Sequence, residues 1–386
     1  MMPLVGLLKC YQIGKILPLR NLLVTRKFTN YTNVRYAAAT TPANKSPVTS
    51  ATALNASSSS SSLDLCENDI QTASATTQNL IIDSRLKQYA KLSKIRLTGF
   101  VTSTAITGGF LASQSFVGSL PIIATAALGT FLCSSSAAAL NQLLETPYDS
   151  QMRRTAIRPL VIGQVSPLET VIFALVTGLS GVSILYNFVN GLTAALGAAN
   201  LVLYSFIYTP MKRSNVANTW IGSIVGAVPP LMGSTAVLGH INIESALLSL
   251  ILFSWQFPHF NALSWNLRHE YARAGYRMMS VVDPDLCKRV AVRHSALLLA
   301  YSCALPIYGS TSSLFTVLAL PFNLQFIRLS WRFHKEADSA SSRKLFRFSL
   351  LYLPSILALL VITKSIGKSA TDESDIEKNS ELKSFE

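Results

Sequence analysis

Residues 171–208 read VIFALVTGLSGVSILYNFVNGLTAALGAANLVLYSFIY, 38 consecutive positions without a charged side chain. A helix needs about 20 apolar residues to cross roughly 30 Å of hydrocarbon, so this stretch holds two spans, 168–187 and 190–208. Lipid offers backbone groups no partner, and the segments are far too long for barrel strands, which leaves helices. Outward from this pair, further apolar segments fall at 97–115, 120–141, 217–238, 244–264, 294–309, 312–327 and 348–363. The sequence therefore predicts an all-α membrane protein, a bundle of nine transmembrane helices. Composition agrees: 49% of residues are hydrophobic and 13% charged, about half the charge of a soluble domain. Gly178, Gly181, Gly191, Gly197, Gly222 and Gly226 are expected to let helices approach closely.

Charge placement tests the count. All 17 Lys and Arg between Leu97 and Thr363 fall in connections that follow an even-numbered span. Nine spans put them on one face, the matrix or cytoplasmic face by the positive-inside rule. The net charge of +14 thus reflects membrane topology, with a lipid bilayer and no nucleic acid as partner. Five cysteines without CxxC spacing indicate neither a zinc site nor a disulfide framework. Residues 1–63 contain no Asp or Glu but seven Lys and Arg, the composition of an organelle transit peptide. The expected organisation is a mitochondrial transit peptide over about 1–36, a low-complexity linker over 37–80, a nine-helix domain over 81–363 and a polar acidic tail over 364–386.

Three polar patches open on the positively charged face. Asn141, Glu145 and Asp149 follow i, i+4, i+8, which aligns three oxygen ligands on one helical face. Pro147 is expected to end or kink that helix before Asp149. Two carboxylates and an amide are hard donors suited to Mg²⁺ held together with a phosphate substrate, and Arg153, Arg154 and Arg158 just beyond offer forked phosphate donors. The second patch is Tyr208-Thr209-Pro210-Met211-Lys212-Arg213. In the third, His259, Asn266 and Glu270 lie within three turns on one face. Carboxylates, cations and an apolar cavity between helices suit a ligand with a diphosphate head and a long apolar tail, which points to polyprenyl transfer.

The runs Asn141-x3-Glu145-x3-Asp149-x2-Met152-x-Arg154-Thr155-x2-Arg158-Pro159-Leu160, Tyr208-Thr209-x2-Lys212-Arg213 and Pro258-His259-Phe260-x-Ala262-Leu263-x6-Glu270-Tyr271 resemble the intramembrane prenyltransferase superfamily of the UbiA type. Within it they are similar to the mitochondrial haem-farnesylating branch, from about Lys94 to the ninth span. The resemblance implies helices around a central cavity in the mitochondrial inner membrane, with a matrix-facing site. It also implies transfer of farnesyl from farnesyl diphosphate to a vinyl group of haem b, with hydration, giving haem O. Haem A synthase and cytochrome oxidase assembly factors are the implied partners. Carried over by position, Asn141, Glu145, Asp149 and Glu270 are the implied catalytic residues, and Glu145, Asp149 and Glu270 the implied Mg²⁺ ligands. Arg154, Arg158, Tyr208, Lys212, Arg213, His259 and Tyr271 are implied to bind substrate, with His259 either a haem-iron ligand or a proton carrier. The superfamily more often has Asp where Glu145 stands, and a second motif richer in Asp than the lone Glu270, so the number of metal ions stays open. An aromatic polyprenyltransferase of a quinone pathway, or a non-catalytic haem-handling membrane protein, is the alternative; the Pro258-His259-Phe260 run favours haem.

Overall fold

The computed structural model describes residues 84–308 and 311–384; the expected transit peptide and linker lie outside the described residues. Helical residues 84–92 lead through a turn into α1 (Ile95–Ala112). There follow α2 (Phe116–Asp149), α3 (Pro167–Phe188), α4 (Gly191–Ser214), α5 (Asn218–Leu238), α6 (Ile243–Arg273), α7 (Pro284–Tyr308), α8 (Ser313–Glu336) and α9 (Ser339–Ser384). Among the described residues there is no strand. Side chains at the predicted breaks start the helices: Ser166, Asn190, Asn242 and Ser312 accept backbone N–H groups at the heads of α3, α4, α6 and α8, supplying donors of the first turn with a partner.

Each apolar segment read from the sequence overlaps one helix, but several helices run on into polar sequence. The clearest correction concerns Pro147. Helix α2 passes through it and ends on Asp149, because the last turn still closes through the Ser150 N–H to the Thr146 carbonyl. Seven helices (α2, α3, α4, α5, α7, α8 and α9 as far as Lys364) are long and apolar enough to cross a membrane. Helix α1 carries Arg96, Thr98, Thr102, Ser103, Thr104 and Thr107 within its 18 residues, and α6 carries Gln256, His259, Asn261 and Asn266 along its length.

The pattern on α3 is that of a protein in lipid. Its buried stripe is Thr170, Ala174, Gly178, Gly181 and Leu185, while its exposed stripe is Leu168, Ile172, Leu175, Val176 and Leu179. Small residues face the bundle and large apolar ones face out, as expected where lipid removes the hydrophobic drive between helices and close packing takes over. Two groups result. Helices α1 to α5 pack among themselves, α6 to α9 among themselves, and the groups join where α5 lies on α6 and α1 touches α6 and α9. A Cβ on Gly178 or Gly181 would press on Ser136 or Cys133 of α2. Gly191 departs from expectation: it opens α4, and its nearest neighbour is the Tyr186 ring edge at 4.0 Å.

The closest approach is between α1 and α5, where a Cβ on Gly233 would overlap the Ala105 carbonyl and one on Gly108 the Pro230 carbonyl. Both obstacles are backbone, so the helices themselves would have to separate. Gly233→Val is expected to cost at least about 3 kcal/mol, beyond ordinary overpacking, and to lower thermal stability in detergent sharply. Gly99→Ala, with nothing within 4 Å of the added Cβ, should leave that stability nearly unchanged in the same assay.

Candidate active site

At the end of α2 the predicted oxygen ligands are buried and face one place. Asn141 is fully buried, Glu145 is 5% exposed and Asp149 2%. Two carboxylates so placed require cations, and the chain supplies them from outside the helix. Arg158 Nη1 bonds Asp149 directly and lies 3.4 Å from Glu145 Oε2, while Lys212 Nζ donates to Glu145 Oε1 at 2.6 Å. The predicted first and second patches therefore meet through ion pairs. The connection after α6 is also tied to the end of α4, the Arg277 N–H donating to the Lys212 carbonyl at 2.7 Å.

Helix α4 reaches this point through a local deformation. Pro210 has no N–H to donate, and residues 203–208 widen into a π-helical turn in which the Thr209 N–H reaches back to the Tyr204 carbonyl. Such turns insert an extra residue and re-aim side chains, often at functional sites. Here the Tyr204 and Tyr208 rings lie 5.4 Å apart, tilted by 32°, Lys212 Nζ lies 4.5 Å above the Tyr208 ring, and Thr209 Oγ1 accepts from Asn141 Nδ2 at 3.0 Å. Arg213 sits over the Tyr148 ring at 4.2 Å and donates to its hydroxyl at 2.6 Å. Tyr148 meets Tyr276, which meets Tyr271 of α6 edge to face. Burial raises the Tyr276 phenol above its ordinary range, so Tyr276 stays neutral.

Sequence reasoning missed Lys94. It precedes α1 in the left-handed region at φ 50°, and its Nζ donates to Asn141 Oδ1 at 2.6 Å. Burial, then the neighbouring charge of Arg158, pulls its ammonium from 10.5 to about 7. The only available signal was a Lys beside a span, indistinguishable from the basic anchors around it.

Next to this polar mouth lies a cavity of about 310 Å³, enclosed by α1, α2, α4, α5 and α6. Its wall is mostly aliphatic and aromatic. Tyr208 forms its edge toward Lys212, and His259 and Phe260 line the side given by α6. His259 Nδ1 is 2.8 Å from Ser349 Oγ. Gly222 and Gly226 permit this wall, since a Cβ would press on the Tyr208 ring or the Gln256 side chain.

Not every predicted residue is gathered. Arg153 and Arg154 are exposed. Among the described residues no three His, Cys, Asp or Glu side chains stand close enough to share an ion, so Glu270 is not assembled with Glu145 and Asp149. Arg158 and Lys212 hold that pair instead. Glu270 is half-buried, and its Oε2 is a buried oxygen without a hydrogen-bond partner among the described residues. An orphaned carboxylate oxygen and two further carboxylates at the same end of the bundle are a hard-oxygen donor set compatible with a divalent cation.

The human mitochondrial protoheme IX farnesyltransferase is 50% identical over 275 residues, an alignment covering 71% of this chain and 62% of the human protein. This chain thus spans less than two thirds of that relative's length. In fold it is similar to a digeranylgeranylglyceryl phosphate synthase, with a TM-score of 0.62 and 14% identity over 73% of this chain and 99% of that one. It is also similar to a UbiA homologue from Archaeoglobus fulgidus bound to GPP and Mg²⁺, with a TM-score of 0.51 and 11% identity over 71% and 99%. The model of the UbiA prenyltransferase family matches residues 101–352, from within α1 into α9, and the chain belongs to that family.

Proposed function

We propose that this chain transfers the farnesyl group of farnesyl diphosphate to a vinyl group of haem b, with addition of water, to give haem O. The observation that carries the reading is the buried pair Glu145 and Asp149, held by Arg158 and Lys212 at the mouth of an apolar cavity. The name of the human relative supports haem b as acceptor. On this reading the chain is a multi-pass protein of the mitochondrial inner membrane, α1 and α6 cross together with the seven longer apolar helices, and the site faces the matrix. Haem A synthase and oxidase assembly factors are its proposed partners.

Balance requires three bond changes. The farnesyl C–O bond breaks with its electron pair leaving on diphosphate. The vinyl π electrons form the new carbon–carbon bond, and water adds its oxygen to the remaining cation with loss of a proton. Charge develops mainly on the leaving diphosphate, and Arg158, Lys212 and Arg213, held by Asp149, Glu145 and Tyr148, offer cations to it, while the exposed Arg154 would have to turn inward to join them. Glu145, Asp149 and Glu270 would hold Mg²⁺, which supplies Lewis-acid stabilisation of diphosphate oxygens; the A. fulgidus homologue bound to GPP and Mg²⁺ supports this assignment. Asn141 ties α2 to Thr209 and Lys94. The faces of Tyr208, Phe260 and Tyr271 attract the allylic cation, while the apolar wall excludes water before the vinyl group attacks.

In cells lacking this protein, haem extraction and mass analysis should find neither haem O nor haem A, and wild-type protein should restore both. Glu145→Gln or Asp149→Asn should lower haem O synthesis in isolated membranes on the order of 10²- to 10³-fold. Full synthesis by Asp149→Asn at limiting Mg²⁺ contradicts the assignment. Lys94 makes a pH prediction. The unfolded chain holds its proton up to about 10.5 while the folded chain gives it up at about 7. Across that window the unfolded state binds more protons, so this contribution raises stability as pH increases. The Tm of wild type relative to Lys94→Met should therefore climb from pH 7 to pH 10, and a flat difference would count against a desolvated Lys94 ammonium.

A further inference from the structure

His259 lines the cavity, and its tautomer follows from a proton count at a residue with no assigned part. Ser349 of α9 is fully buried. Its Oγ is 2.6 Å from the Phe346 carbonyl and 2.8 Å from His259 Nδ1. A serine hydroxyl carries one proton and a carbonyl only accepts. That proton therefore goes to Phe346, and the contact to His259 requires Nδ1–H to donate to Ser349 Oγ. A neutral imidazole has one N–H, so Nε2 is left with its lone pair. The ring is also clamped: it stacks on Trp255 at 4.6 Å and lies 5.0 Å from the Phe346 ring, and Trp255 Nε1 donates to the Ser349 carbonyl at 2.9 Å. Nε2 has no hydrogen-bond partner among the described residues.

We propose that Ser349 is a positioning residue: it holds His259 in the Nδ1–H tautomer and so presents the Nε2 lone pair to the Lewis-acidic metal of a planar acceptor entering the cavity. The proposal rests on the haem b reading and chooses between the two roles open to His259. A bond at one ring nitrogen commonly orients the other for a metal. It also assigns work to α9, which contributes none of the diphosphate-binding residues. Helix α6 supplies the ring, and α9 supplies the acceptor for its proton. Because α9 also packs on α1, the geometry of the acceptor wall depends on both groups of helices.

Two measurements separate this proposal from the functional reading. Nitrogen-15 NMR of histidine-labelled protein without haem, with the His259 signals identified by their loss in His259→Gln, reads the tautomer alone. Wild type should show a protonated Nδ1 and an unprotonated Nε2, Ser349→Thr should keep that pattern, and Ser349→Ala should lose it. An Nε2–H in wild type overturns the proposal and leaves the functional reading untouched. In the second measurement, ferric haem is titrated into purified protein and followed by its absorption. Ser349→Ala should weaken haem binding by about 10- to 100-fold, as such supporting residues commonly do, and shift the bound spectrum. Its KM for farnesyl diphosphate should stay within about twofold of wild type, which shows an intact fold, and Ser349→Thr should recover the spectrum. A Ser349→Ala protein with wild-type spectrum and haem affinity overturns the proposal. Cells lacking the protein that still make haem O would instead overturn the functional reading, with the tautomer result standing.

Discussion

Two carboxylates that are almost without solvent cannot remain charged at the edge of an apolar bundle unless cations come to them. Glu145 and Asp149 meet this demand through Arg158, from the connection after α2, and Lys212, from the end of α4. Breaking such a buried pair from one side typically costs about 3–5 kcal/mol, so the pairs bind loop to helix as well as setting the local field. On the proposed function, Arg158 and Lys212 would turn to phosphate oxygens, and the carboxylates they leave would need another cation. On that reading the ion pairs stand in for the contacts that substrate and metal would make.

The rest of the fold keeps that place dry and adjacent to a lipid-like interior. Small residues on the inner stripes of α2 and α3 bring helices together, and the glycines of α5 leave space where larger side chains would fill the bundle. Their common product is the cavity that begins at Tyr208. Its volume of about 310 Å³ is at the small end for ligand sites. The π-helical turn of α4 connects the two regions, since it sets Tyr208 at the cavity edge and Lys212 on Glu145 within one short stretch.

How far the sequence could be read differs by kind of information. The positions of the helices were legible because crossing lipid imposes apolar length, and the 38 uncharged residues at 171–208 leave little choice. The convergence of Asn141, Glu145, Asp149, Arg158 and Lys212 was legible through helical spacing and the one-sided distribution of cations. Pro147 misled because a proline in the final turn disturbs a helix less than one in its middle. Lys94 and Ser349 carried no periodic signal, and each acquires meaning from a partner far along the chain, Asn141 and His259. The π-helical turn was foreshadowed only by Pro210, which is equally at home at an ordinary helix end.

The central claim is that prenyl diphosphate and a divalent cation bind as one coupled unit at this cluster, which calorimetry on purified protein tests directly. Farnesyl diphosphate should bind at least about tenfold more tightly with saturating Mg²⁺ than in chelator, and by linkage the diphosphate should tighten Mg²⁺ by the same factor. Farnesyl diphosphate affinity that is the same with and without any divalent cation would contradict the account.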